Sequence, residues 1–322
     1  MPKPKVFVTR IIPNKGLDLV KDFCDVNLWE AAMPPRREEL LRNARGVDGL
    51  LCLLTDKIDH EVMDAAGAHL KVISNLAVGF DNIDVNTATA RKIPVGNTPD
   101  VLTDATADFA FTLMMSASRR LLEADRYVRE GKWQTWEPMQ LLGQEMKNST
   151  LGLVGFGRIG KAMARRALGF DMRVIYYDPS ETKSDSDVKA VGVDLETLLK
   201  ESDFISLHTP LTPATRHLIN AETLAKMKPS AILVNTARGP VVDLEALYEA
   251  LKSKRIFAAG LDVTDPEPLP EGHPLLQHPR VIVTPHVASA TVAGRRRLYE
   301  HAIDNALNVL AGRPATIVTA TG

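Results

Sequence analysis

A glycine-rich turn between two apolar runs constrains the fold of this chain more than any other feature. The turn is Gly155–Gly160, with the sequence Gly-Phe-Gly-Arg-Ile-Gly, and the apolar run Leu151–Val154 leads into it. A segment of small residues, Lys161–Leu168, follows, and a second apolar run, Arg173–Tyr177, ends at Asp178. A strand, a glycine turn, a helix and a strand that ends in an acidic residue form the arrangement that binds a dinucleotide. The order and spacing therefore predict a nucleotide-binding turn rather than a glycine turn that binds nothing.

The three glycines of this turn are expected to have separate roles. The first permits the tight turn, the second lets the backbone approach a pyrophosphate, and the third lets the helix pack closely on the strand. The N-terminus of the helix supplies unpaired N–H groups and positive potential for the phosphates.

The composition is typical of a globular protein, and we expect a cytoplasmic location. Of the 322 residues, 45% are hydrophobic and 25% are charged, and the net charge of −1 gives no general attraction to nucleic acid or to an acidic membrane. No apolar stretch is long enough to span a bilayer, and Met1–Lys5 leads directly into the strand-like Val6–Val8 without the pattern of a signal peptide. The two cysteines, Cys24 and Cys52, form no metal-type or redox-type pair, so we expect reduced thiols.

Short apolar runs alternate with amphipathic segments through most of the chain, which predicts a parallel α/β architecture. Before the glycine turn the expected strands are Lys5–Thr9, Val26–Leu28, Gly49–Leu53, Lys71–Ser74 and Val95–Gly96, with helical patterns such as Arg37–Asn43 and Glu61–Ala66. From the turn onward they are Leu151–Val154, Arg173–Tyr177, Phe204–His208, Ala231–Asn235, Ala258–Asp262 and Arg280–Thr284. These six strands and their helices would complete a doubly wound dinucleotide-binding domain.

The glycine turn lies far from the start of the chain, and a helical segment, Ala293–Leu310, follows the last expected strand. We therefore predict a discontinuous first domain made of residues 1–101 and 288–322. The nucleotide-binding domain, residues 102–287, is inserted into it. Two connections between domains favour a hinge and a ligand cleft.

The segment between the two domains is expected to be buried or to contact a second subunit. Asp104–Leu122 has the pattern of one apolar helix, buried in a core or at a subunit interface. Residues 123–149 contain Trp133 and Trp136, and an arm that contacts a partner subunit fits this composition. An irregular loop packed on its own domain is the alternative. Ser180–Lys189 is polar and is expected to be a solvated loop.

Three polar side chains follow expected strands at the edge where parallel sheets bind ligands. Arg238 lies beside small residues and a glycine, and its guanidinium can bind a carboxylate in a bidentate fashion, although an ion pair with Asp243 would be a plainer use. Glu267 lies between two prolines, and His286 follows the last strand. A carboxylate beside a histidine raises the pKa of the imidazole and makes it a candidate general acid. A structural histidine is the alternative for His286 alone, and we find no metal-binding pattern.

Four motifs together resemble the D-isomer-specific 2-hydroxyacid dehydrogenase family, over nearly the whole chain. They are Val154–Gly160, Asn235–Gly239, Gly260–Val263 with Glu267-Pro268, and Thr284–His286, supported by Asn75–Asp81 and Thr98–Ala107. Within the family, the chain is most similar to the glyoxylate/hydroxypyruvate reductases. The resemblance implies two Rossmann-like domains: a flavodoxin-like substrate domain and a doubly wound dinucleotide-binding domain inserted into it. It also implies a homodimer.

The resemblance implies a role for each matching residue. Arg238 would bind the substrate carboxylate and keto oxygen, His286 would donate the proton, and Glu267 would orient His286. The substrate would also contact Val78, Gly79, Ser289 and, from the neighbouring subunit, Trp136. The residues expected to bind the cofactor are Thr106, Gly155, Gly157, Arg158, Ile159, Gly160, Asp178, Thr209, Pro210, Ala237 and Asp262, with Asp262 on the nicotinamide side.

Departures from the patterns of related enzymes narrow this interpretation. Val78 stands where phosphite dehydrogenases are expected to have a lysine, and Glu267 stands where formate dehydrogenases have glutamine. No regulatory extension follows the last helix, which disfavours a regulated phosphoglycerate dehydrogenase. Asp178 can accept both ribose hydroxyls of NAD and would repel a 2′-phosphate, and only Lys183 is near enough in sequence to pair with one, so NAD(H) is expected over NADP(H).

The expected reaction is reduction of a small 2-keto acid, glyoxylate or hydroxypyruvate, to the D-2-hydroxy acid. A reductase of another 2-keto acid, such as 2-ketogluconate, is one alternative. A dinucleotide-sensing protein similar to transcriptional corepressors is another, because such proteins can keep the same three polar residues.

Overall fold

Two parallel sheets organise the chain, each in its own unit, in a computed structural model that describes residues 2–180 and 188–318. The strands are β1 (Lys5–Val8), β2 (Asp25–Leu28), β3 (Gly49–Cys52), β4 (Val72–Asn75), β5 (Val95–Gly96), β6 (Thr150–Val154), β7 (Arg173–Tyr177), β8 (Ala190–Gly192), β9 (Phe204–Leu207), β10 (Ile232–Asn235), β11 (Ala258–Leu261), β12 (Val281–Val283) and β13 (Ile317–Val318). The helices are α1 (Asn14–Phe23), α2 (Arg37–Ala44), α3 (His60–Ala66), α4 (Val85–Ala90), α5 (Thr103–Ser118), α6 (Leu121–Arg129), α7 (Arg158–Leu168), α8 (Leu195–Glu201), α9 (Ala221–Lys226), α10 (Leu244–Lys252), α11 (Pro274–Gln277) and α12 (Val292–Leu310).

The first unit consists of the chain up to Leu102 together with the chain from Thr291 onward. Its sheet has the order β13-β5-β4-β3-β1-β2. The five parallel strands follow the flavodoxin-like order. Strand β13 pairs with β5 and adds an antiparallel edge to the sheet. The sequence pattern did not predict β13. Helix α12 packs on β3, β4 and β5, so the end of the chain completes the core that its beginning starts.

The second unit spans Thr103–Ala290 and contains the glycine turn. Its sheet has the order β12-β11-β10-β9-β6-β7-β8, and every strand pair is parallel. The doubly wound expectation is confirmed, but the count of six strands is wrong, since the described part has seven. The seventh is β8, which is short and half-exposed, so its sequence carries no clear apolar run.

The strands at the centre of the second sheet are buried on both faces. Each residue of β9 and of β10 is buried, as expected where helices cover both sides of a parallel sheet. Helix α5 lies against β10, β11 and α7, which confirms that this apolar segment is buried in a core.

The expected single helix over Asp104–Leu122 is wrong in its extent. Helix α5 ends at Ser118, and Arg120 then adopts a left-handed backbone with φ of 53° before α6 begins. The Arg120 guanidinium binds both carboxylate oxygens of Glu123, at 2.9 and 2.6 Å. The Gln144 N–H donates to the Ser118 carbonyl at 2.9 Å. These contacts redirect the chain. Helix α6 occupies the start of residues 123–149, the segment expected to form an arm that contacts a partner subunit.

Among the described residues, no helix combines the length and the apolar character needed to cross a membrane. Residues 181–187 of the expected loop, which include Lys183, lie outside the described residues, as do residues 319–322 of the expected first domain.

Candidate active site

The glycine turn follows β6 directly and has the backbone that its sequence predicts. Gly155 has φ of 93°, in the region that favours glycine. A Cβ atom there would lie 2.6 Å from the His208 carbonyl oxygen and 2.9 Å from the Thr209 nitrogen, both just after β9. Gly155 therefore allows the turn to touch the loop after the neighbouring strand, at the point where the strand order reverses.

Open space lies on the other side of this turn. A Cβ atom on Gly157 would meet nothing within 4 Å, whereas one on Gly160 would collide with the Gly155 carbonyl. Gly157 caps α7, whose first residues are Arg158 and Ile159, so the N–H groups at this helix end border the open space. A pyrophosphate fits these features, because the site offers room and the N-terminus of a helix.

Asp178 stands at the end of β7 and is hydrogen-bonded to the same turn. Its Oδ2 accepts a hydrogen bond from the Phe156 N–H at 2.8 Å, and its Oδ1 accepts from the Ser180 N–H and Oγ at 2.9 and 2.7 Å. Partial burial opposes ionisation, but these donors and the Lys161 charge outweigh it and lower the pKa of Asp178. The carboxylate is thus ionised at neutral pH and lies beside the turn.

The other expected cofactor residues lie at several places in the second unit. Thr209 and Pro210 follow β9, Ala237 follows β10, and Thr106 is buried on α5. Thr209 is the one that the structure brings next to the glycine turn.

The three polar residues expected to act on substrate lie beyond three adjacent parallel strands. Arg238 follows β10, Glu267 lies in the loop after β11, and His286 follows β12. The strands are in register where they end, since Asn235 pairs with Leu261 and Leu261 pairs with Val283. The carboxyl edge of one sheet therefore carries all three.

Glu267 and His286 form a short hydrogen bond. Glu267 Oε1 lies 2.6 Å from His286 Nδ1, and the two side chains are 39% and 27% exposed. Burial opposes ionisation of Glu267, but the hydrogen bond and charge of His286, the Thr264 N–H and the Arg238 charge outweigh it, so the pKa of Glu267 is lowered. With Nδ1 bound to a carboxylate, the other ring nitrogen, Nε2, is the atom that can act on a ligand.

The backbone of His286 adopts an unusual conformation that its neighbours hold in place. Its φ is 54°, in the left-handed region that is unfavourable for a residue with a side chain. The His286 N–H donates to the carbonyl oxygens of Asp262 and Thr284, at 2.9 and 3.0 Å. Such a conformation persists only where the surroundings determine it, and here it orients the imidazole that is hydrogen-bonded to Glu267.

Asp262 stabilises the same turn. It is 1% exposed, and its carboxylate accepts hydrogen bonds from Thr284 Oγ1, the Val287 N–H and the Ala288 N–H at 2.6, 2.9 and 2.7 Å. The sequence-based interpretation placed Asp262 on the nicotinamide side. In the structure, the described hydrogen bonds of its carboxylate all go to the loop that carries His286, a role that the sequence did not predict.

Asn235 has a similar role for Arg238. This buried residue accepts a hydrogen bond from the Ala237 N–H at 3.0 Å and donates from Nδ2 to the Arg238 carbonyl at 2.8 Å. A Cβ atom on Gly239 would collide with the Thr264 carbonyl, so this glycine lets the Arg238 loop pack on the loop of Glu267. A polar residue at the end of an otherwise apolar buried strand was the available signal for Asn235.

Val78 and Gly79 belong to the first unit, in the loop that follows β4, and both are half-buried. Ser289 follows His286 closely in the second unit and is half-buried, whereas Trp136 is 77% exposed. No group of three or more His, Cys, Asp or Glu side chains within the described ranges is arranged to hold a metal ion.

Known proteins resemble this chain over nearly its full length. The model of the D-isomer specific 2-hydroxyacid dehydrogenase, NAD binding domain, matches residues 111–288. A glyoxylate reductase of Thermofilum pendens is 53% identical over 317 residues, which cover 97% of this chain and 93% of that protein.

Solved structures show the same similarity. One protein of Thermus thermophilus has a TM-score of 0.91 and 48% identity, with 97% of this chain and 99% of that chain covered. An NADPH-dependent glyoxylate/hydroxypyruvate reductase of Sinorhizobium meliloti, solved with NADP and malonate, has a TM-score of 0.86 and 31% identity, with 99% and 97% covered. The nucleotide turn, the Arg238, Glu267 and His286 set and these likenesses agree, and the chain belongs to the D-isomer-specific 2-hydroxyacid dehydrogenase family.

Proposed function

We propose that this protein reduces glyoxylate or hydroxypyruvate to the corresponding 2-hydroxy acid with NADH, and that the chiral product of hydroxypyruvate has the D configuration. The observation that carries the proposal is the 2.6 Å hydrogen bond between Glu267 and His286, on the same sheet edge as Arg238 and the glycine turn. The glyoxylate reductases among the relatives, at 53% identity in one case, support the substrate class.

The residues of the site have two proposed tasks, binding of the cofactor and substrate and transfer of a proton to the substrate. The glycine turn, Asp178 and the N-terminus of α7 would hold the nicotinamide cofactor, which would supply a hydride for the keto carbon when bound. His286, protonated at Nε2, gives its proton to the keto oxygen, and the product is an alcohol with no charge left on that oxygen. Glu267 accepts the Nδ1 hydrogen bond, stabilises the protonated ring and keeps Nε2 directed outward.

Arg238 is the group that suits the carboxylate of the substrate. Its guanidinium offers a planar pair of donors that match a carboxylate, and Asn235 holds its backbone. We also propose the backbone N–H groups of Val78 and Gly79 as donors to a substrate carboxylate. Glyoxylate has a hydrogen on its keto carbon and hydroxypyruvate has a hydroxymethyl group there. The site therefore needs room for only a small substituent.

NAD(H) is the proposed cofactor. The ionised Asp178, bound to the Phe156 N–H, is oriented to accept hydrogen bonds from ribose hydroxyls and repels a 2′-phosphate. The related Sinorhizobium meliloti structure contains NADP. The carboxylate at residue 178 is the reason to propose NAD(H) for this chain instead.

A homodimer is the proposed assembly, formed through α6 and the segment after it. Large apolar side chains are exposed there to an unusual degree: Leu121, Leu122, Val128, Trp133, Trp136, Met139 and Leu142 are each between 49% and 77% exposed. Clustered exposed apolar side chains mark interaction surfaces. In such a dimer Trp136 would contact the substrate of the partner subunit.

We also propose that the protein is located in the cytoplasm.

The first experiment is an initial-rate assay of NADH and NADPH oxidation with glyoxylate, hydroxypyruvate, pyruvate and 2-ketogluconate. Fast reduction of glyoxylate or hydroxypyruvate with NADH, and chiral analysis showing the D-product from hydroxypyruvate, is the expected result. Turnover of 2-ketogluconate alone would contradict the proposed substrate but would leave the proposed mechanism of reduction standing. Tight NADH binding without turnover of any of the four would indicate a dinucleotide-sensing protein instead.

A further inference from the structure

The loop after β4 presents three successive peptide groups whose carbonyls are all hydrogen-bonded. The Ala77 carbonyl accepts from the Thr98 N–H at 3.0 Å. The Val78 carbonyl accepts from Asn97 Nδ2 at 2.8 Å, and the Gly79 carbonyl accepts from Asn75 Nδ2 at 2.9 Å. These donors come from the ends of β4 and β5, so two strands fix the loop.

The N–H groups of the same three peptides are the second feature of this loop. In a trans peptide the C=O and N–H bonds point in opposite directions. A carbonyl that is held on one side of the chain therefore directs the next residue's N–H to the other side. The N–H groups concerned are those of Val78, Gly79 and Phe80, and none has a hydrogen-bond partner within residues 2–180 and 188–318. Successive unpaired backbone N–H groups of this kind bind anions.

We propose that Asn97 is a positioning residue for the substrate carboxylate, acting by holding the Val78 carbonyl so that the Gly79 N–H faces the anion. The inference rests on the proposed function, because it takes the carboxylate of a 2-keto acid as the anion. Asn97 is itself held, since Asn305 Nδ2 on α12 donates to its carbonyl at 2.8 Å. Hydrogen bonds through Asn97, which follows β5, thus connect this loop to helix α12.

Asn97 suits a test better than Asn75. Asn75 is fully buried, and Asn82 hydrogen-bonds to it from within the same loop, so its loss would disturb several contacts. Asn97 is half-buried, and its side chain has one described hydrogen bond, to the Val78 carbonyl. Asn43 offers a matched control, because it is also half-buried in the first unit and its Nδ2 also donates to a backbone carbonyl, that of Glu39, at 2.7 Å.

The experiment compares N97A, N97D and N97Q with N43A and the unchanged protein. We measure kcat and KM for glyoxylate, the Kd of oxalate in the presence of NADH, the Kd of NADH and the Tm. We expect N97A to raise KM and the oxalate Kd by about three- to tenfold, as for one lost hydrogen bond. The kcat and the NADH Kd should change little, because His286 and the glycine turn are untouched.

The remaining variants separate positioning from simple destabilisation. N97D keeps the size of the side chain but lacks the donor and adds a negative charge, so its effect on KM should exceed that of N97A. N97Q keeps an amide donor and should recover part of the loss. N43A should show wild-type KM and oxalate Kd even where its Tm falls. If N97A does not fold, N97D carries the same comparison.

Two results would overturn the inference in distinguishable ways. Wild-type KM and oxalate Kd in both N97A and N97D, with an active parent enzyme, would refute the role of Asn97 and leave the proposed function standing. A parent protein that neither reduces glyoxylate nor binds oxalate would refute the proposed function, and this inference with it.

Discussion

His286 is the residue on which the proposed chemistry depends most. We expect His286→Ala to lower kcat by about 10²- to 10⁴-fold, the usual contribution of a general acid, while the Kd of NADH changes little. The reason is that the imidazole acts on the substrate, not on the cofactor. His69, an exposed histidine of the first unit, provides the control, and His69→Ala should be fully active. Retention of a tenth of the parent kcat by the His286 variant would refute the assignment.

Glu267 connects the site to pH. Because its pKa is lowered in the folded chain, its ionised form stabilises the fold above the ordinary glutamate pKa of about 4.3, and this contribution is lost as the pH falls through the lowered value. We expect Glu267→Gln to have a lower Tm than the parent at pH 7. The two Tm values should converge as the pH is lowered below about 4.

Glu271 is the matched control for that experiment. It is an exposed glutamate of the same loop, and Glu271→Gln should leave the Tm close to that of the parent throughout. A Tm difference for Glu267→Gln that stays constant over the whole pH range would mean that ionisation of Glu267 does not contribute.

Asp178 is the residue that we propose selects NAD(H) over NADP(H). We expect Asp178→Ala to lower the ratio of kcat/KM with NADH to kcat/KM with NADPH by about 10- to 100-fold, since hydrogen bonds to a charged group are lost and a repulsion is removed. Glu201, which pairs with Arg173 at the opposite end of β7, is the control. An unchanged ratio in the Asp178 variant would remove this residue from the choice of cofactor.

At the scale of elements, two glycines of the β6–α7 turn allow the effects on folding and on cofactor binding to be measured separately. We expect Gly155→Ala to lower the Tm, because φ of 93° and the nearby His208 carbonyl both oppose a side chain. Gly157 has φ of −74° and open space around it, so Gly157→Ala should keep the parent Tm. The added methyl group would occupy the space intended for the pyrophosphate, and the Kd of NADH should rise at least about tenfold.

Differential scanning fluorimetry and fluorescence titration with NADH together check this pair. Unchanged NADH affinity in Gly157→Ala would show that the pyrophosphate binds elsewhere. An unchanged Tm in Gly155→Ala would show that the turn relaxes without cost.

Long, buried elements were predicted well from the sequence, and short or redirected elements were not. The expected runs at β6, β7, β9 and β10 match the structure within one residue, because a parallel strand between two layers of helices must be apolar throughout. By contrast, β8 and β13 have two or three residues and a partly exposed surface. A pattern that is both short and partly exposed does not separate a strand from a loop, whereas the equally short β5, with both residues buried, was predicted.

At the scale of the whole molecule, the exposed apolar surface of α6 and its following segment predicts self-association. We expect the parent protein to sediment as a dimer at micromolar concentration and Leu122→Glu to sediment as a monomer. Leu19→Glu on α1 is the control, since Leu122 and Leu19 are 49% and 45% exposed, respectively. Sedimentation velocity makes the comparison, and a monomeric parent or a dimeric Leu122→Glu variant would contradict the proposed interface.

The candidate site residues could be proposed from the sequence, because their signals are local. Each of these residues can be recognised from its neighbours in the chain alone. The glycines surround a strand end, an acidic residue ends the next strand, and three polar residues follow apolar runs: Arg238, Glu267 and His286. The same holds for the order of strands and helices, since periodicity is a property of a short segment.

Only the tertiary structure decided which groups hold these residues in place. Asp262 binds the loop of His286 across 22–26 positions, and Asn305 binds Asn97 across 208 positions. The left-handed turn at Arg120, which ends α5 early, likewise depends on Glu123 and on the returning chain at Leu142. A hydrogen bond between distant residues leaves no periodic trace in the sequence, because a buried polar group needs one partner and the fold alone determines which partner is near.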